Sequence, residues 1–162
     1  DVYNDVSDTR KNKDDTKIMP EKLSNYGFGK WLCEQIVKKY AKDWVITRLG
    51  GMVGEGLKKN AIYDIMTKGT LFVSPKSEYQ YMNTSDVARI IYQIRNQKNE
   101  IFNICGDGTI KLEEAAKFVG VHLNKNLYKL KKEAYNVNVS KIKKICSIEK
   151  TQKTVFNFAR GK

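Results

Sequence analysis

Residues 24–49 read SNYGFGKWLCEQIVKKYAKDWVITRL and combine a helix pattern with a strand pattern. Apolar side chains recur at the spacing of one helix face, at Trp31, Leu32, Ile36, Val37 and Tyr40. Lys38, Lys39 and Lys42 lie near the carboxyl end of this helix, where cations interact favourably with the helix dipole. The run from Trp44 to Leu49 is short, apolar and rich in β-branched residues, which predicts a buried strand.

Helix and strand patterns alternate on the carboxyl side of this stretch, whereas residues 4–24 are polar and predict a long loop. Thr84, Ser85 and Asp86 are suited to the cap and first turn of a later helix. The remaining predictions are a glycine-rich loop at 50–56, a helix at 57–66, strands at 70–73 and 79–82, a helix at 84–94, a strand at 100–105, a helix at 112–119, and mainly helical structure beyond. The alternation predicts an α/β fold.

Composition narrows the class of protein. The chain of 162 residues is 41% apolar and 10% aromatic, which is enough for the core of one ordinary domain. It has no run of about eighteen apolar residues and its first residues are acidic, so we expect a cytoplasmic protein with no membrane partner. Three cysteines without C-x-x-C spacing and one histidine predict neither a disulfide framework nor a metal site; we expect the cysteines to be reduced and mostly buried.

The net charge of +12 is concentrated late in the chain. Between Lys117 and Lys162 there are 12 basic residues against two acidic ones, Glu133 and Glu149. Such a region could bind RNA or another anion, or it could be a solvated surface. Because 25 of the 30 basic residues are lysine and base recognition favours arginine, the composition argues against a dedicated nucleic-acid reader.

Tyr26 and Lys30 are four residues apart at the start of the first helix, so they lie on one face, a turn apart. An ammonium beside a phenol favours the phenolate, and such a pair can transfer a proton. The spacing alone has little specificity, because Tyr128 and Lys132 match it too and a solvated helix surface produces it by chance.

Several loose motifs surround this pair in one order. They are Asp1-Val2-Tyr3, Tyr26-Gly-Phe-Gly-Lys30, Arg48-Leu-Gly-Gly-Met-Val-Gly54-Glu-Gly56, Asp86-Val87-Ala88 and Phe102-Asn103-Ile104-Cys-Gly106. In this order and spacing, the chain resembles the carboxyl-terminal part of the extended short-chain dehydrogenase/reductases, the NAD-dependent epimerase/dehydratase family. The resemblance covers about residues 1–150 and implies the second half of a Rossmann-like fold with a small substrate-binding lobe.

The resemblance implies catalytic and cofactor-binding roles. Tyr26 would be the acid/base that exchanges a proton with a substrate hydroxyl during hydride transfer, and Lys30 would hold the nicotinamide ribose. Leu49 and Gly50 would lie near the nicotinamide of NAD or NADP. The substrate would be a nucleotide-activated sugar, and family members commonly form dimers through the helix that carries the tyrosine and lysine.

The resemblance also implies substrate-binding positions, and there the chain departs from the family. Gly51 stands where an asparagine normally contacts the substrate, and Tyr79 stands about where an arginine binds the nucleotide phosphates. Gly29 replaces a frequent serine. By the same resemblance, Asp86 and Asn103 would be structural, organising a helix start and a turn.

The largest departure is the lack of the G-x-x-G-x-x-G turn that cradles the cofactor pyrophosphate. The family's catalytic serine or threonine would fall two residues before Asp1. We therefore expect the chain to be a fragment, inactive alone, with uncovered apolar surface at the strand edge that would pair with the missing nucleotide-binding half. Residues 1–75 would be the Rossmann-like part and 76–162 mainly the substrate lobe and basic carboxyl-terminal helices. Two alternatives stay open: a non-catalytic protein that binds RNA or another anion, and a degenerate family member with a structural role.

Overall fold

The computed structural model describes residues 2–161, in which helices and strands alternate along most of the chain. The helices are α1 (Asn25–Tyr40), α2 (Ala61–Met66), α3 (Thr84–Ile94), α4 (Leu112–Phe118) and α5 (Thr151–Arg160). The strands are β1 (Val45–Leu49), β2 (Gly51–Val53), β3 (Glu78–Tyr79), β4 (Tyr81–Asn83), β5 (Glu100–Ile104) and β6 (Ile110–Lys111). Short 3₁₀ turns lie at Pro20–Lys22, Lys125–Lys129 and Ile142–Lys144.

Strand pairing is mainly parallel. β1 pairs with β5, with Val45 opposite Glu100, and β2 pairs with β4, with Gly51 opposite Tyr81. β3 and β6 form a short antiparallel pair. Parallel neighbours need long crossover connections, and the chain supplies them through α2 between β2 and β4, and through α2 and α3 between β1 and β5. The predicted α/β class is confirmed.

Two apolar clusters form the core. The first lies around β5 and α3 and includes Ile90 and Phe102, both almost completely buried. The second joins α2, α4 and α5 through residues such as Ile62, Leu112 and Val155. Each cluster combines residues from before and after residue 75, and a functional division of the chain at that position remains a prediction.

Helix α1 presents its apolar side chains to solvent. Leu32, Ile36 and Tyr40 are 44%, 50% and 75% exposed, whereas the buried residues of α1 are Gly27 and Glu34. Strand β1 is only half-buried and its last residue, Leu49, is exposed, so the prediction of a buried strand was wrong. Among the described strands, β1 has only β5 as a neighbour, which leaves its other edge uncovered.

Two predictions between α1 and α3 were wrong. Residues 51–53, expected to be part of a loop, form β2 because they find a parallel partner in β4. Residues 70–73, expected to be a strand, have no strand partner: Leu71 packs into the second cluster while Phe72 is 82% exposed. A short apolar run forms a strand only where a neighbour satisfies its backbone groups.

The structure beyond α4 also differs from the expectation of mainly helical chain. Residues 121–150 contain two 3₁₀ turns and two isolated β-bridge residues, Ala134 and Lys150, and are otherwise irregular; α5 is the helix that follows. Asparagine side chains compete for backbone groups there: the amide oxygen of Asn138 accepts hydrogen bonds from the backbone and side chain of Ser140.

The cap of α3 is Asn83 rather than Thr84 or Ser85. Cys105 and Cys146 are buried as expected, but Cys33 is exposed.

Gly50 has no room for a side chain. A Cβ atom there would lie 2.6 Å from the Cys105 sulfur, and the Gly50 backbone N–H is fixed by a 3.0 Å hydrogen bond to Ile104. We therefore expect Gly50→Ala to lower the free energy of unfolding by about 1–3 kcal/mol, measured by urea denaturation. Cys105→Ala should restore part of the loss, because it removes the closest atom.

The matched control is Gly29→Ala in α1, where nothing lies within 4 Å of the added carbon. Replacing a helical glycine by alanine without steric conflict should raise the free energy of unfolding, by up to about 1 kcal/mol. Equal effects of the two substitutions would contradict the steric interpretation of Gly50.

Candidate functional site

The predicted catalytic pair lies at the exposed start of α1. The Ser24 hydroxyl caps this helix by accepting a hydrogen bond from Gly27 N–H at 3.2 Å, which fixes the first turn. Tyr26 is 67% exposed, and the Lys30 ammonium lies 5.5 Å from the centroid of its ring. The two side chains therefore share one helix face and are accessible to a ligand.

A cavity of about 260 Å³ lies at the carboxyl end of β1. Its wall includes the four other residues that the resemblance implied, Leu49, Gly50, Gly51 and Tyr79. Tyr26 and Lys30 are not part of this wall. The structure thus brings the predicted nicotinamide and substrate positions together in one cavity and leaves the predicted catalytic pair outside it.

The inner wall of the cavity contains a buried hydrogen-bond network that sequence reasoning missed. Arg48 donates from Nε and Nη2 to the Glu34 carboxylate at 2.8 and 2.7 Å, and from Nη1 to the Tyr3 phenol oxygen at 2.8 Å. Tyr3 in turn donates to the Asn103 side chain at 2.7 Å, and burial raises the pKa of Tyr3. A charged residue inside an apolar strand, as Arg48 is, was the available signal, because such residues are rarely buried without a partner.

Asn103 anchors the amino-terminal loop and a carboxyl-terminal segment to β5. Its side-chain amide donates to the carbonyl oxygens of Asn12 and Asn138, and its backbone N–H donates to Asp14. Burial raises the pKa of Asp14. Asn103 lies within β5 and not at a turn, and its contacts are those of a structural residue.

Asp86 lies in the first turn of α3 and pairs with Arg89 at 2.9 Å, while Asn83 caps the helix. These contacts give Asp86 a local structural role at the start of the helix.

Two tyrosines form the outer wall of the cavity. The Tyr79 and Tyr135 rings are stacked with centroids 5.5 Å apart, and the Tyr79 hydroxyl donates to the Glu133 carboxylate at 2.7 Å. Burial raises the pKa of Tyr79 and the Glu133 carboxylate raises it further, so the phenol stays protonated at neutral pH.

The neighbouring position, Gly51, has no room for the asparagine that normally stands there in the family that the chain resembles. A Cβ atom there would lie 2.7 Å from the Gln80 carbonyl oxygen and 2.8 Å from the Tyr81 ring.

Cys105 lies in the cavity wall. Burial raises the pKa of Cys105 to about 12, so its thiol is neutral near pH 7 and a weak nucleophile. Among residues 2–161, no three histidine, cysteine or acidic side chains are close enough to hold a metal ion. No helix in the described part of the chain is long and apolar enough to cross a bilayer.

The basic carboxyl-terminal region is partly neutralised by acidic partners. Five of its lysines form ion pairs with carboxylates: Lys132–Glu78, Lys141–Glu100, Lys143–Asp107, Lys150–Asp107 and Lys153–Glu149. The hydrogen bond from Lys150 holds the pKa of Asp107 below its usual range. These pairs reduce the positive potential that an RNA backbone would require.

Solved structures share this fold at low sequence identity. A dTDP-glucose 4,6-dehydratase from Bacillus anthracis in complex with NAD superposes with a TM-score of 0.72 at 17% identity, covering 98% of this chain and 57% of the dehydratase. A UDP-galactose 4-epimerase gives 0.71 at 18% identity, covering 98% and 59%. A UDP-glucuronic acid 4-epimerase from Bacillus cereus in complex with NAD gives 0.66 at 19%, covering 91% and 55%.

These similarities establish the fold as the corresponding part of a Rossmann-like epimerase fold. The chain spans a little over half the length of the structures it matches. No protein-family profile matches the sequence, and no curated protein matches it.

The buried Glu34–Arg48 pair should contribute strongly to stability. Both side chains are less than one-tenth exposed, and Glu34→Gln would leave the guanidinium charge of Arg48 buried without its counter-ion. We expect a loss of about 3–5 kcal/mol in the free energy of unfolding, measured in urea.

The control for this prediction is Asp43→Asn, which breaks the exposed Lys98–Asp43 pair and should cost less than about 1 kcal/mol. Similar losses for the two variants would contradict the assignment of Glu34 as the buried anchor of α1.

Proposed function

We propose that this chain is part of an NAD(P)-dependent oxidoreductase of the epimerase or dehydratase type, with Tyr26 as its acid/base. The observation that carries the proposal is the Tyr26–Lys30 pair at the exposed start of α1, in a fold similar to those dehydratases and epimerases over 91–98% of the chain. The names of the similar structures support a nucleotide-activated sugar as the substrate class.

In this proposal the chain's own residues position the substrate and move one proton. The Tyr26 phenol oxygen takes the proton of a substrate hydroxyl as the carbinol is oxidised, and returns a proton when the ketone is reduced. Lys30 binds hydroxyl groups of the cofactor ribose with its ammonium. A nicotinamide held near Leu49 and Gly50 would supply the acceptor and donor of the hydride at that carbon.

The described residues fit one end of such a cofactor. Leu49 offers an exposed apolar side chain at the end of β1, next to Gly50 at the cavity, and this edge can receive the flat nicotinamide ring. The glycines at 50–56 do not fit the pyrophosphate, because the first of them are packed against Cys105 and the β4 residues and part of the segment is β2. Residues 2–161 thus contain no glycine-rich turn that opens a long helix, the usual pyrophosphate site.

We also propose that the chain forms a homodimer. Leu32, Ile36 and Val37 are exposed on one helix, and exposed apolar surface favours association. A second copy of the chain would bury these side chains. In this proposal the second copy contacts the helix that carries Tyr26 and Lys30.

The first test concerns cofactor affinity. We expect the 162-residue chain alone to bind NADH and NADPH more weakly than micromolar, because the described residues supply no pyrophosphate cradle. Titration of cofactor fluorescence measures this directly. Micromolar binding by the isolated chain would contradict our description of the cofactor site.

The second test concerns Tyr26 in the full-length protein. Tyr26→Phe should lower kcat by about 10²–10⁴-fold with little change in KM, because it removes the proton transfer and keeps the ring. Turnover can be measured on UDP-glucose, UDP-galactose and dTDP-glucose with NAD⁺ and with NADP⁺.

The control is Tyr92→Phe, on α3 and 64% exposed, which should leave kcat unchanged. If Tyr26→Phe keeps full turnover, Tyr26 is not the acid/base, and a structural role for the chain is favoured.

A further inference from the structure

Glu34 continues the side of α1 on which the proposed catalytic pair lies. Tyr26, Lys30 and Glu34 follow one another at intervals of four residues, and each interval advances the helix by little more than one turn. The series starts at the exposed Tyr26 and ends at Glu34, which is 7% exposed. One side of the helix therefore leads from the candidate acid/base to a carboxylate inside the protein.

The Glu34 carboxylate is held in a single orientation. Arg48 binds it with two hydrogen bonds, from Nε at 2.8 Å and from Nη2 at 2.7 Å. Two bonds from a planar guanidinium fix the direction of the contact as well as its length. The other buried residue of α1 is Gly27, which has no side chain to bind a neighbour. Glu34 is thus the buried side chain through which the helix is bonded to β1.

Arg48 is itself fixed on the side away from the helix. Its third bond runs from Nη1 to the Tyr3 phenol oxygen at 2.8 Å, and Tyr3 donates to the Asn103 side chain on β5. The guanidinium also lies 4.8 Å from the centroid of the Tyr3 ring. The Arg48 side chain is 9% exposed, so little water competes for these donors. Donors engaged in this way give Arg48 an internal role.

The position of Arg48 in the chain connects this contact to the cavity. Leu49 and Gly50, the residues proposed to lie beside the nicotinamide, follow Arg48 directly, and all three line the cavity. The Gly50 N–H donates to Ile104 at 3.0 Å, which holds the end of β1 against β5. The ion pair therefore joins the helix that carries Tyr26 to the strand end at which the cofactor would bind.

A small change at the ion pair becomes a larger displacement at Tyr26. Tyr26 precedes Glu34 by eight residues, which is about 12 Å along the helix axis. A tilt of about 5° at Glu34 moves the Tyr26 backbone by about 1 Å over that length. A misplacement of about 1 Å can lower the rate of a reaction by about 10²-fold.

We propose that Glu34 and Arg48 are positioning residues, whose ion pair sets the orientation of α1 and thereby the placement of Tyr26 and Lys30 relative to the cavity. An ion pair suits this role because its bonds require one geometry, whereas apolar contacts are non-directional. The orienting role follows from the contacts themselves. Its effect on turnover rests on the proposed function.

The first experiment measures the orientation of the helix without any turnover. Residual dipolar couplings of the backbone amides of α1, β1 and β5 are compared between the wild-type 162-residue chain and Glu34→Asp, which keeps the charge and shortens the side chain by one methylene. We expect α1 to rotate against the two strands by about 5°, the tilt that about 1 Å produces over the helix length. An unchanged orientation in folded Glu34→Asp would overturn the proposal.

Two further variants complete this experiment. Asp43→Glu alters the exposed Lys98–Asp43 pair by one methylene and is the matched control, which should leave the orientation of α1 unchanged. Arg48→Lys keeps the charge but loses the two-bond contact, and it should rotate α1 as Glu34→Asp does. It replaces Glu34→Asp if circular dichroism shows that variant to be unfolded.

The second experiment measures turnover of the full-length protein on the UDP- and dTDP-sugars of the Tyr26 test. Glu34→Asp should lower kcat per folded molecule by about 10–100-fold and change KM by less than about threefold, because the acid/base is displaced while the cavity wall is retained. Ile90→Val removes one methyl group from the first apolar cluster, away from the network, and destabilises the core. It should leave kcat per folded molecule unchanged, which separates positioning from stability.

The outcomes distinguish this proposal from the proposed function. If Tyr26→Phe loses turnover while folded Glu34→Asp keeps the wild-type kcat, Tyr26 is the acid/base and the positioning role is refuted. If Tyr26→Phe keeps full turnover, the proposed function fails and the dipolar couplings alone decide. A rotated α1 then supports the orienting role of the ion pair, and an unrotated α1 refutes it.

Discussion

The ion pair between Glu34 and Arg48 connects the two parts of the molecule on which the candidate site depends. Glu34 is a buried side chain of α1, the helix with the predicted catalytic pair, and Arg48 lies on β1, which leads into the cavity. Because Arg48 also binds Tyr3, and Tyr3 binds Asn103, the same interaction joins α1, β1, β5 and the amino-terminal region. Four segments, with residues as far apart in sequence as Tyr3 and Asn103, are thus held by one buried network.

This anchoring has a consequence for the surface of α1. Glu34, which forms the ion pair, is one of the two buried residues of α1, and the apolar side chains Leu32, Ile36 and Tyr40 remain exposed. The uncovered edge of β1 and the exposed Leu49 lie in the same region of the chain. Exposed apolar surface of this kind marks an interaction site, which agrees with a partner at α1 and a cofactor at the end of β1 in the proposed enzyme.

Sequence patterns predicted long elements well and short ones poorly. Helices α1 and α3 were predicted correctly because their apolar residues recur over several turns, and α3 also has capping residues at its start. Strands β1 and β5 were predicted correctly because each is a short, continuous apolar run. Residues 51–53 were predicted to be a loop and form a strand, whereas residues 70–73 were predicted to be a strand and form none. A run of three or four residues becomes a strand only if a neighbour pairs with it. At the site, Leu49, Gly50, Gly51 and Tyr79 do meet in one cavity, but the network of Tyr3, Glu34 and Arg48 was not anticipated.

The sequence by itself determined the α/β class and the placement of Tyr26 and Lys30 on one helix face, because both depend on spacing within or between consecutive elements. Only the tertiary structure decided where charge is neutralised and which apolar residues stay exposed. Those properties arise from contacts between residues as far apart as Tyr3 and Asn103, and burial changes the energy of a charge or hydrogen bond in a way that local spacing does not reveal.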